Sequence, residues 1–559
     1  MATPLTSRAT AEQAATGAGG GAAPASAWAP LGNPVFRSIW LAIVASNIGT
    51  WMHDVGTAWL MTSLTPSPLL VSLLQTATTL PVFLLALPAG ALADVVDRRR
   101  MLMLLEAWMC LCAFTLAALT LMGLVTPVVL LVMTFALGMG AAMDAPAWQA
   151  TTPEVVPKSQ LPAAVALSSV AINIARAVGP ALGGFAIAAA GSAAPFLLNG
   201  VSFLGAVYVL YRWRRAPRES SLPAEHVTGA VRAGVRYVRH SPPLRAALVR
   251  TGLFILCGSG FWALLPVRGR LELGLGSAGY GLLVGSIGVG ALAGAVLLPK
   301  LRPKFSADLL VAGATLLFAA AAVALGYLPS YPLLCAVMLA GGFAWITLMS
   351  SFNVAAQMSV PAWVKARAMA VYLITLQGGT ALGAILWGAL ATRYGVRTAL
   401  TLAAGGMILS LAAMVRYRLT AAEGIDLAPS AHWPLPVVTD EPDAERGPVM
   451  VTVEYRIDPA RAEEFREAMR EVSMERRRHG AVYWHVYVDA EDPARYVEVF
   501  IVASWLEHLR QHERVTVADR DVEVIARAFH VGAAPPLISH FVSGLEGRRS
   551  PAQGPGGTV

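Results

Sequence analysis

Charged residues are scarce in this 559-residue chain: Asp, Glu, Lys and Arg together make up 14% of it. Soluble domains carry roughly 25% charged residues, whereas hydrophobic residues account for 56% of this chain. The composition excludes an ordinary soluble enzyme and a disordered protein. At roughly 20 apolar residues per crossing, the chain has enough apolar sequence for about a dozen membrane spans and a soluble domain.

Cysteine is also scarce, and the chain begins without an apolar targeting segment. The four cysteines lie inside apolar runs, which argues against a disulfide framework and a thiolate metal site. Residues 1–33 are rich in Ala, Gly, Pro, Ser and Thr and lack the apolar core of a signal peptide. We expect this segment to be a disordered tail.

Long apolar runs begin near residue 38 and alternate with short loops. They predict twelve membrane spans, at residues 38–62, 69–93, 101–123, 125–147, 161–188, 194–212, 246–267, 277–299, 307–327, 331–353, 366–390 and 397–415. Lys and Arg concentrate in the loops after every second span, so the positive-inside rule places both termini in the cytoplasm. This topology explains the net charge of +8, and we expect no nucleic-acid partner.

The two sets of six spans resemble each other. Val156-Pro157 before span 5 aligns with Val360-Pro361 before span 11, and at the same offset Gly179 aligns with Gly383. Such repeats predict two halves related by an axis along the membrane normal. The predicted divisions are a tail (1–33), the N-terminal six-helix bundle (34–216), a cytoplasmic linker with an amphipathic helix on the inner membrane surface (217–243), the C-terminal six-helix bundle (244–418), a second linker (419–447), a soluble domain (448–545) and a disordered tail (546–559).

The soluble domain has its own pattern of elements. Apolar residues alternate from Val449 to Tyr455, which predicts a strand. Asp458 and the proline after it start a helix, and two strands follow near 481–489 and 496–503. A second helical region and a strand near 537–542 complete a β-α-β-β-α-β order, which is the ferredoxin-like pattern.

The loop after span 2 carries a glycine, an aspartate four residues later and then a basic cluster. The residues of this pattern are Gly90, Asp94, Asp97, Arg98, Arg99 and Arg100. The pattern resembles the signature loop of the major facilitator superfamily, where the charged residues form a conformational latch between helices. The loop departs from that signature at Val95, where the family usually has Arg, and at Asp97, where it has Gly. Asp97 is therefore expected to pair locally with Arg99 or Arg100.

Span 5 carries a second motif of small residues and a proline. It consists of Gly179, Pro180, Gly183 and Gly184. Small residues let two helices approach closely and proline bends a helix, and the motif resembles the Gly-Pro signature of antiporters in the superfamily. Residues 47–52, 144–146, 153–154, 173–176 and 279–283 are similar to the transmembrane secretion effector branch, which includes enterobactin-exporter-like proteins.

This resemblance covers roughly residues 34–418. It implies an all-α membrane protein with a 12-helix major facilitator fold in two six-helix halves, to which the small α+β ferredoxin-like domain is added. It also implies a central cavity, alternating access and export of small molecules, usually by proton antiport. By family analogy the cavity candidates are Asn47, Trp51, Gln75, Phe261, Trp262, Gln377 and Trp387.

Ionisable residues at membrane depth are expensive and usually functional. Four are candidates for proton coupling: Asp54 in span 1, Glu106 in span 3, Asp144 in span 4 and Arg176 in span 5. The alternative for each is a satisfied structural pair or a position near the interface. Span 4 has no internal Arg, although the superfamily's proton relay uses one there.

Two further motifs have plainer explanations. The glycines at 274, 276 and 279 fit a dinucleotide-binding spacing, but no strand precedes them, so helix packing is the better explanation. His508 and His512 share a helix face without an adjacent Glu, so we predict no metal and no cofactor. The soluble domain resembles the antibiotic-biosynthesis monooxygenase-like fold, for which binding or dimerisation is the expected role.

These features predict an inner-membrane secondary transporter rather than an enzyme. Its expected partners are the lipid bilayer, a drug-like or siderophore-like small molecule and protons, with dimerisation through the C-terminal domain. The alternative is a membrane-anchored enzyme or sensor in which the C-terminal domain carries the activity. Twelve spans in two repeated halves exceed what anchoring requires, which favours transport.

Overall fold

The computed structural model describes residues 28–95, 97–213, 227–419, 424–430, 432–433 and 442–544. Side chains are described at these positions except at 87–95, 149–150, 153, 158 and 227–233. The predicted tails and much of both linkers therefore lie outside the described residues.

Six long helices form the N-terminal bundle. They are α1 (Pro34–Leu64), α2 (Pro68–Val95), α3 (Arg98–Leu121), α4 (Pro127–Val155), α5 (Leu161–Ala190) and α6 (Ala194–Arg212). Several begin with proline, whose missing N–H costs nothing in the first turn. Side-chain caps add to this: Asn33 accepts bonds from the first turn of α1 and Thr126 from that of α4.

The C-terminal bundle repeats this arrangement after a short helix, α7 (Val227–His240). Its helices are α8 (Pro242–Pro266, continued as a π-helical segment Val267–Glu272), α9 (Ser277–Leu301), α10 (Ala307–Tyr327), α11 (Tyr331–Met358), α12 (Lys365–Tyr394) and α13 (Val396–Ser410). Eleven helices of the described chain, α2–α6 and α8–α13, are long and apolar enough to cross a membrane. The 31-residue α1 is not among them but packs against α5 and α6.

The two bundles meet through α2 against α12 and α5 against α9. Glycine allows these close crossings: a methyl group added to Gly281 would lie 2.5 Å from the carbonyl oxygen of Pro180, and one on Gly388 would lie 2.8 Å from Cβ of Ser72. Both contacts are near the end of the bundles that holds the turns 65–67 and 191–193, which we call the closed end.

The short helix α7 packs against α12 and the C-terminal domain. Its position on the inner membrane surface stays a prediction. The Tyr237 hydroxyl donates to the carbonyl oxygen of Ser359 at 2.9 Å, and the Tyr237 ring is 3% exposed. Protein thus covers the side of α7 that carries Tyr237, whereas the Val235 side chain is 54% exposed.

The C-terminal domain is an antiparallel four-stranded sheet with three helices. Its elements are β1 (Val449–Arg456), α14 (Ala462–His479), β2 (Tyr483–Val488), β3 (Arg495–Val502), α15 (Trp505–Arg514), α16 (Val517–Arg527) and β4 (Leu537–Val542). The strands are ordered β2-β3-β1-β4. Phe465 and Met469 of α14 pack on Val453 and Tyr455 of β1, so one sheet face forms the core.

The C-terminal domain docks on the C-terminal bundle through α7 and the loop before α12. Arg236 of α7 and Arg514 of α15 both donate to the Glu507 carboxylate, at 3.0 and 2.8 Å. The Arg514 guanidinium lies 4.6 Å from the ring centre of Trp363, and the His479 ring lies 6.1 Å from it. This contact joins the domain to the C-terminal bundle.

Candidate transport site

A cavity of about 280 Å³ lies between the two bundles. Four of the predicted cavity residues line it: Trp51, Gln75, Trp262 and Gln377. Sequence reasoning missed other lining residues, among them Tyr280, Trp345, Met349 and the threonines at 57, 78, 79 and 380. The wall therefore combines aromatic rings with hydroxyl and amide groups, which suits an amphipathic organic ligand.

Three predicted cavity residues lie elsewhere. Phe261 is fully buried against Phe318, with ring centres 4.8 Å apart, because neighbouring residues on a helix point about 100° apart and Trp262 takes the cavity side. The Trp387 indole donates to the carbonyl oxygen of Leu256 in the packed interior, and the Asn47 amide donates to its own helix at Ile43. None of these three side chains lines the cavity in this structure, and their part in cargo binding stays a prediction.

Asp54 is the acidic side chain of the cavity wall. It is exposed in the structure, and it lines the cavity together with Tyr280. Within the described part of the chain, no hydrogen bond or ion pair to its carboxylate is found. The carboxylate is thus available to a proton or a ligand. A residue that couples export to protons needs this accessibility, and the coupling role of Asp54 stays a prediction.

Arg176 supplies positive charge to the same wall. Its guanidinium lies 5.8 Å from the ring centre of Trp51, and both residues line the cavity. The described residues contain no ion pair between Arg176 and either Glu106 or Asp144. Arg176 and Asp54 therefore place opposite charges on one cavity.

Glu106 and Asp144 lie away from the cavity, between α3 and α4. The Trp148 indole donates to Oε1 of Glu106 at 3.3 Å, and Asp144 lies beside both Glu106 and Trp148. Glu106 is 2% exposed. Glu106 Oε2 and Asp144 Oδ1 are both buried without a hydrogen-bond partner.

The basic cluster of the signature loop ties helices of the N-terminal bundle together. Arg98 pairs with Glu154 of α4 at 2.6 Å, and Arg99 donates to the carbonyl oxygens of Leu210 and Tyr211 at the end of α6. Asp97 caps α3 by accepting from the backbone N–H of Arg100 at 2.9 Å. The Asp94 side chain lies outside the described residues, so the latch that includes Gly90 and Asp94 stays a prediction.

The glycines of the span 5 motif lie at two helix crossings. A methyl group on Gly179 would lie 2.6 Å from Cβ of Trp51, and one on Gly183 would lie 2.9 Å from Cα of Met52. Gly184 faces the other bundle, where a methyl group would lie 3.0 Å from Cα of Gly281. The motif thus packs α5 on α1 and on α9 at once, and Pro180 lies inside α5 between these contacts.

Arg270 connects the two bundles at the closed end. It extends from the π-helical segment after α8, donates to the carbonyl oxygen of Trp59 and to the Thr62 hydroxyl, and lies 4.0 Å from the Trp59 ring centre. The sequence showed Arg270 only as a loop charge. Its function as a bridge to α1 depends on the π-helical turn, which no sequence pattern indicated.

The C-terminal domain contains a buried charge cluster. Arg476 pairs with Glu475, Glu498 and Glu523, and all four side chains are at most 4% exposed. The cluster is closed by the linker residue Trp433, whose indole donates to Glu523 at 3.0 Å and lies 4.8 Å from the guanidinium. Burial alone would raise the pKa of Glu523, but Arg476 and His432 lower it to about 2.

A histidine cluster lies next to this site. His508 and His512 approach to 3.3 Å between their Nε2 atoms, and the His540 ring centre lies 4.9 Å from that of His508. Burial, together with the neighbouring His512 and His540, lowers the pKa of His508 to about 4. The described residues contain no group of three ligands suited to a metal ion.

This pKa shift gives the C-terminal domain an acid-sensitive stability. The folded pKa lies below the unfolded value of about 6.5, so the contribution of neutral His508 is present above pH 6.5 and is lost as pH falls towards 4. His508→Phe should therefore reduce the stability difference between pH 8 and pH 5 by about 2 kcal/mol. Pulse proteolysis of the domain in the full-length protein measures this. His485→Phe, at an exposed position on β2, should leave the difference unchanged, and an unchanged difference in His508→Phe would contradict the assignment.

Comparisons with known proteins agree with this architecture. The sequence profile described as "Transmembrane secretion effector" matches residues 25–549, which include both bundles and the C-terminal domain. The chain is 27% identical over 395 residues to the multidrug efflux pump Tap of Mycolicibacterium fortuitum, covering 68% of this chain and 95% of Tap. It is 26% identical over 363 residues to the enterobactin exporter EntS of Shigella boydii, covering 64% and 85%.

Solved structures show the same fold. A bacterial homologue of the human lysosomal transporter Spinster, in an inward-facing and unoccupied conformation, superposes with a TM-score of 0.54 at 15% sequence identity. The match covers 70% of this chain and 96% of that protein.

Proposed function

The chain belongs to the transmembrane secretion effector family, and from this premise we propose that it exports a drug-like or siderophore-like compound by alternating access, driven by protons. The observation that carries the proposal is the cavity between the bundles, into which the Asp54 carboxylate is exposed. The multidrug pump and the enterobactin exporter that resemble this chain support a small-molecule cargo.

The orientation follows from charge. When α1 is counted as a membrane span together with α2–α6 and α8–α13, there are twelve spans. The positive-inside rule then places the loops rich in Lys and Arg, and both termini, in the cytoplasm. The closed end then faces away from the cytoplasm, and the structure represents the inward-facing state of a plasma-membrane protein. In this state a cytoplasmic compound reaches Asp54, Arg176 and the aromatic wall before the bundles close around it.

Coupling of export to protons requires a group that takes up or releases a proton as the cavity opens to one side of the membrane and then to the other. Asp54 suits this role because its carboxylate has no partner among the described residues and meets the cavity directly. Protonation removes its charge and weakens its attraction for a polar or cationic part of the cargo. Proton binding on the outer side therefore favours release, and proton loss on the inner side favours loading.

The C-terminal domain serves the transporter rather than a reaction of its own in this proposal. Its strand order supports a ferredoxin-like fold. The sheet face opposite the helices exposes Tyr483, Tyr487, Leu537 and Phe541, an apolar patch that suits dimerisation. Trp433 of the linker covers the charged cluster around Arg476, which is unfavourable for an enzyme substrate there.

Asp54→Asn tests the coupling. Asn keeps the size and hydrogen bonding of Asp but cannot carry a proton. In proteoliposomes with the membrane potential held at zero, each coupled proton supports about tenfold accumulation per pH unit, because 1.4 kcal/mol is a factor of ten. Accumulation in Asp54→Asn should fall about tenfold at a gradient of one pH unit, and cargo binding should become less dependent on pH.

Asp54→Glu is the matched control, because it keeps a carboxyl group and should keep most of the accumulation. Full accumulation in Asp54→Asn would exclude Asp54 as a proton carrier. Absence of gradient-driven accumulation in the unmodified protein would reject the proposed coupling altogether.

A further inference from the structure

The buried pair Glu106 and Asp144 lies outside the cavity. Two acidic side chains from neighbouring helices, α3 and α4, meet beside one indole N–H, that of Trp148. The indole provides one donor, whereas the two ionised carboxylates together need several. Glu106 Oε2 and Asp144 Oδ1 remain buried without a donor.

We infer that Glu106 and Asp144 share one exchangeable proton and form a second proton-binding site, remote from the cargo cavity. An ionised carboxylate only accepts hydrogen bonds, whereas a protonated one also donates. One proton on the pair therefore supplies the missing donor and removes one of two like charges from a buried location. When the proton leaves, both carboxylates are ionised beside each other, a costly state unless the helices move apart or water enters.

Among the described side chains, no positive charge pairs with Glu106 or Asp144 and removes the need for a proton. The titratable groups that face Glu106 within the described residues are Asp144 on α4 and Cys110 one turn along α3. The Cys110 thiol donates to the carbonyl oxygen of Gly200 on α6. The nearest ion pair on the same two helices, Arg98 with Glu154, lies at their ends.

A route from the pair to the cavity runs through α4 and α2. Gly138 lies six residues before Asp144 on α4, and a methyl group on Gly138 would lie 3.1 Å from Cγ of Pro81 and 3.3 Å from the carbonyl oxygen of Thr78 on α2. Thr78 lines the cavity, and α2 is also one of the helices that contacts the other bundle. A shift of α4 on proton loss is thus transmitted to a helix that forms both the cavity wall and the bundle interface.

This inference rests on the proposed proton-driven export, and the test separates the two. Glu106→Gln and Asp144→Asn keep the size of each side chain and imitate its protonated form. Each should lower accumulation about tenfold at one pH unit, since one of two coupled protons is lost, while cargo affinity changes less than twofold. The double variant should be no worse than either single variant because the two residues hold one proton between them.

Combining Glu106→Gln with Asp54→Asn should abolish accumulation, because both protons are then lost. Infrared spectroscopy gives an independent readout: a carboxylic-acid carbonyl band at neutral pH should disappear in either single variant. If the unmodified protein accumulates cargo and Glu106→Gln matches it, the shared proton is refuted while export stands. Additive losses of accumulation in the variant that combines Glu106→Gln with Asp144→Asn would also overturn the shared proton, because they indicate two separate protons.

Discussion

Gly288→Ala is expected to reduce the population of the conformation described here. It should favour an alternative conformation in which the two halves separate at the closed end. A methyl group on Gly288 of α9 would lie 2.6 Å from Cα of Ala177 and would also overlap the carbonyl oxygen of Arg176. Both atoms belong to the backbone of α5, in the other half, and cannot turn aside. Gly288 and Ala177 lie near the middle of α9 and α5, so separation of the halves from the closed end down to this crossing relieves the overlap without disturbing the interior of either bundle.

Distances between spin labels measure the shift. Labels at Ser192→Cys and Ser330→Cys lie in turns of different halves at the closed end, and their separation should increase in Gly288→Ala. Gly290→Ala is the matched comparison, two residues along the same helix. Its methyl group would lie 2.9 Å from Cα of Leu339 on α11, within the same half, so it should reduce the yield of folded protein instead. An unchanged label distance in folded Gly288→Ala would contradict the proposed movement.

Arg476→Met should unfold the C-terminal domain while the bundles stay folded. Removal of the guanidinium leaves Glu475, Glu498 and Glu523 buried without their cation. Breaking a buried ion pair in this way costs about 3–5 kcal/mol, which is a large part of the roughly 5–15 kcal/mol stability of a typical domain. Protease resistance of residues 448–544 in the full-length protein measures the loss.

Arg466→Met is the control on the same helix. Arg466 is 52% exposed and pairs with an exposed Glu463, so its replacement should change stability by less than about 1 kcal/mol. Transport by both variants then addresses the alternative function. Export that persists in Arg476→Met assigns transport to the bundles, whereas lost export with intact bundles would favour the C-terminal domain as the active part.

Helix positions could be predicted from sequence because an apolar run long enough to span a bilayer has few other uses. The C-terminal strands and helices were also predictable, since alternation in β1 and the caps at Asp458 and Ser504 are local signals. The second helix there divides at Thr516, whose capping box with Asp519 starts α16. From sequence this region is predicted as one helical segment.

A site residue could be predicted from sequence only where the pattern within a single helix was enough to select it. Asp54 could be selected because any charge inside span 1 is conspicuous. The side of α8 that faces the cavity could not be chosen, since Phe261 and Trp262 are both large and apolar and helical periodicity is weak in a helix that is apolar all round. The meeting of Glu106 with Asp144, 38 positions apart, depends on the rotation of two helices about their axes.

The attachment of the C-terminal domain has a consequence for its mobility. The backbone N–H of Leu419 donates to Asp308 at the base of the C-terminal bundle, and Pro429 pairs with Thr516 in the domain. The chain makes ten residue steps from Leu419 to Pro429 and reaches at most about 35 Å when extended. A C-terminal domain that dissociates from Trp363 therefore stays close to its docking site on the bundle. Its effective concentration there is of the order of millimolar for a short tether. Weak contacts are then sufficient to keep it in place most of the time, and a second molecule must compete with this local concentration to displace it.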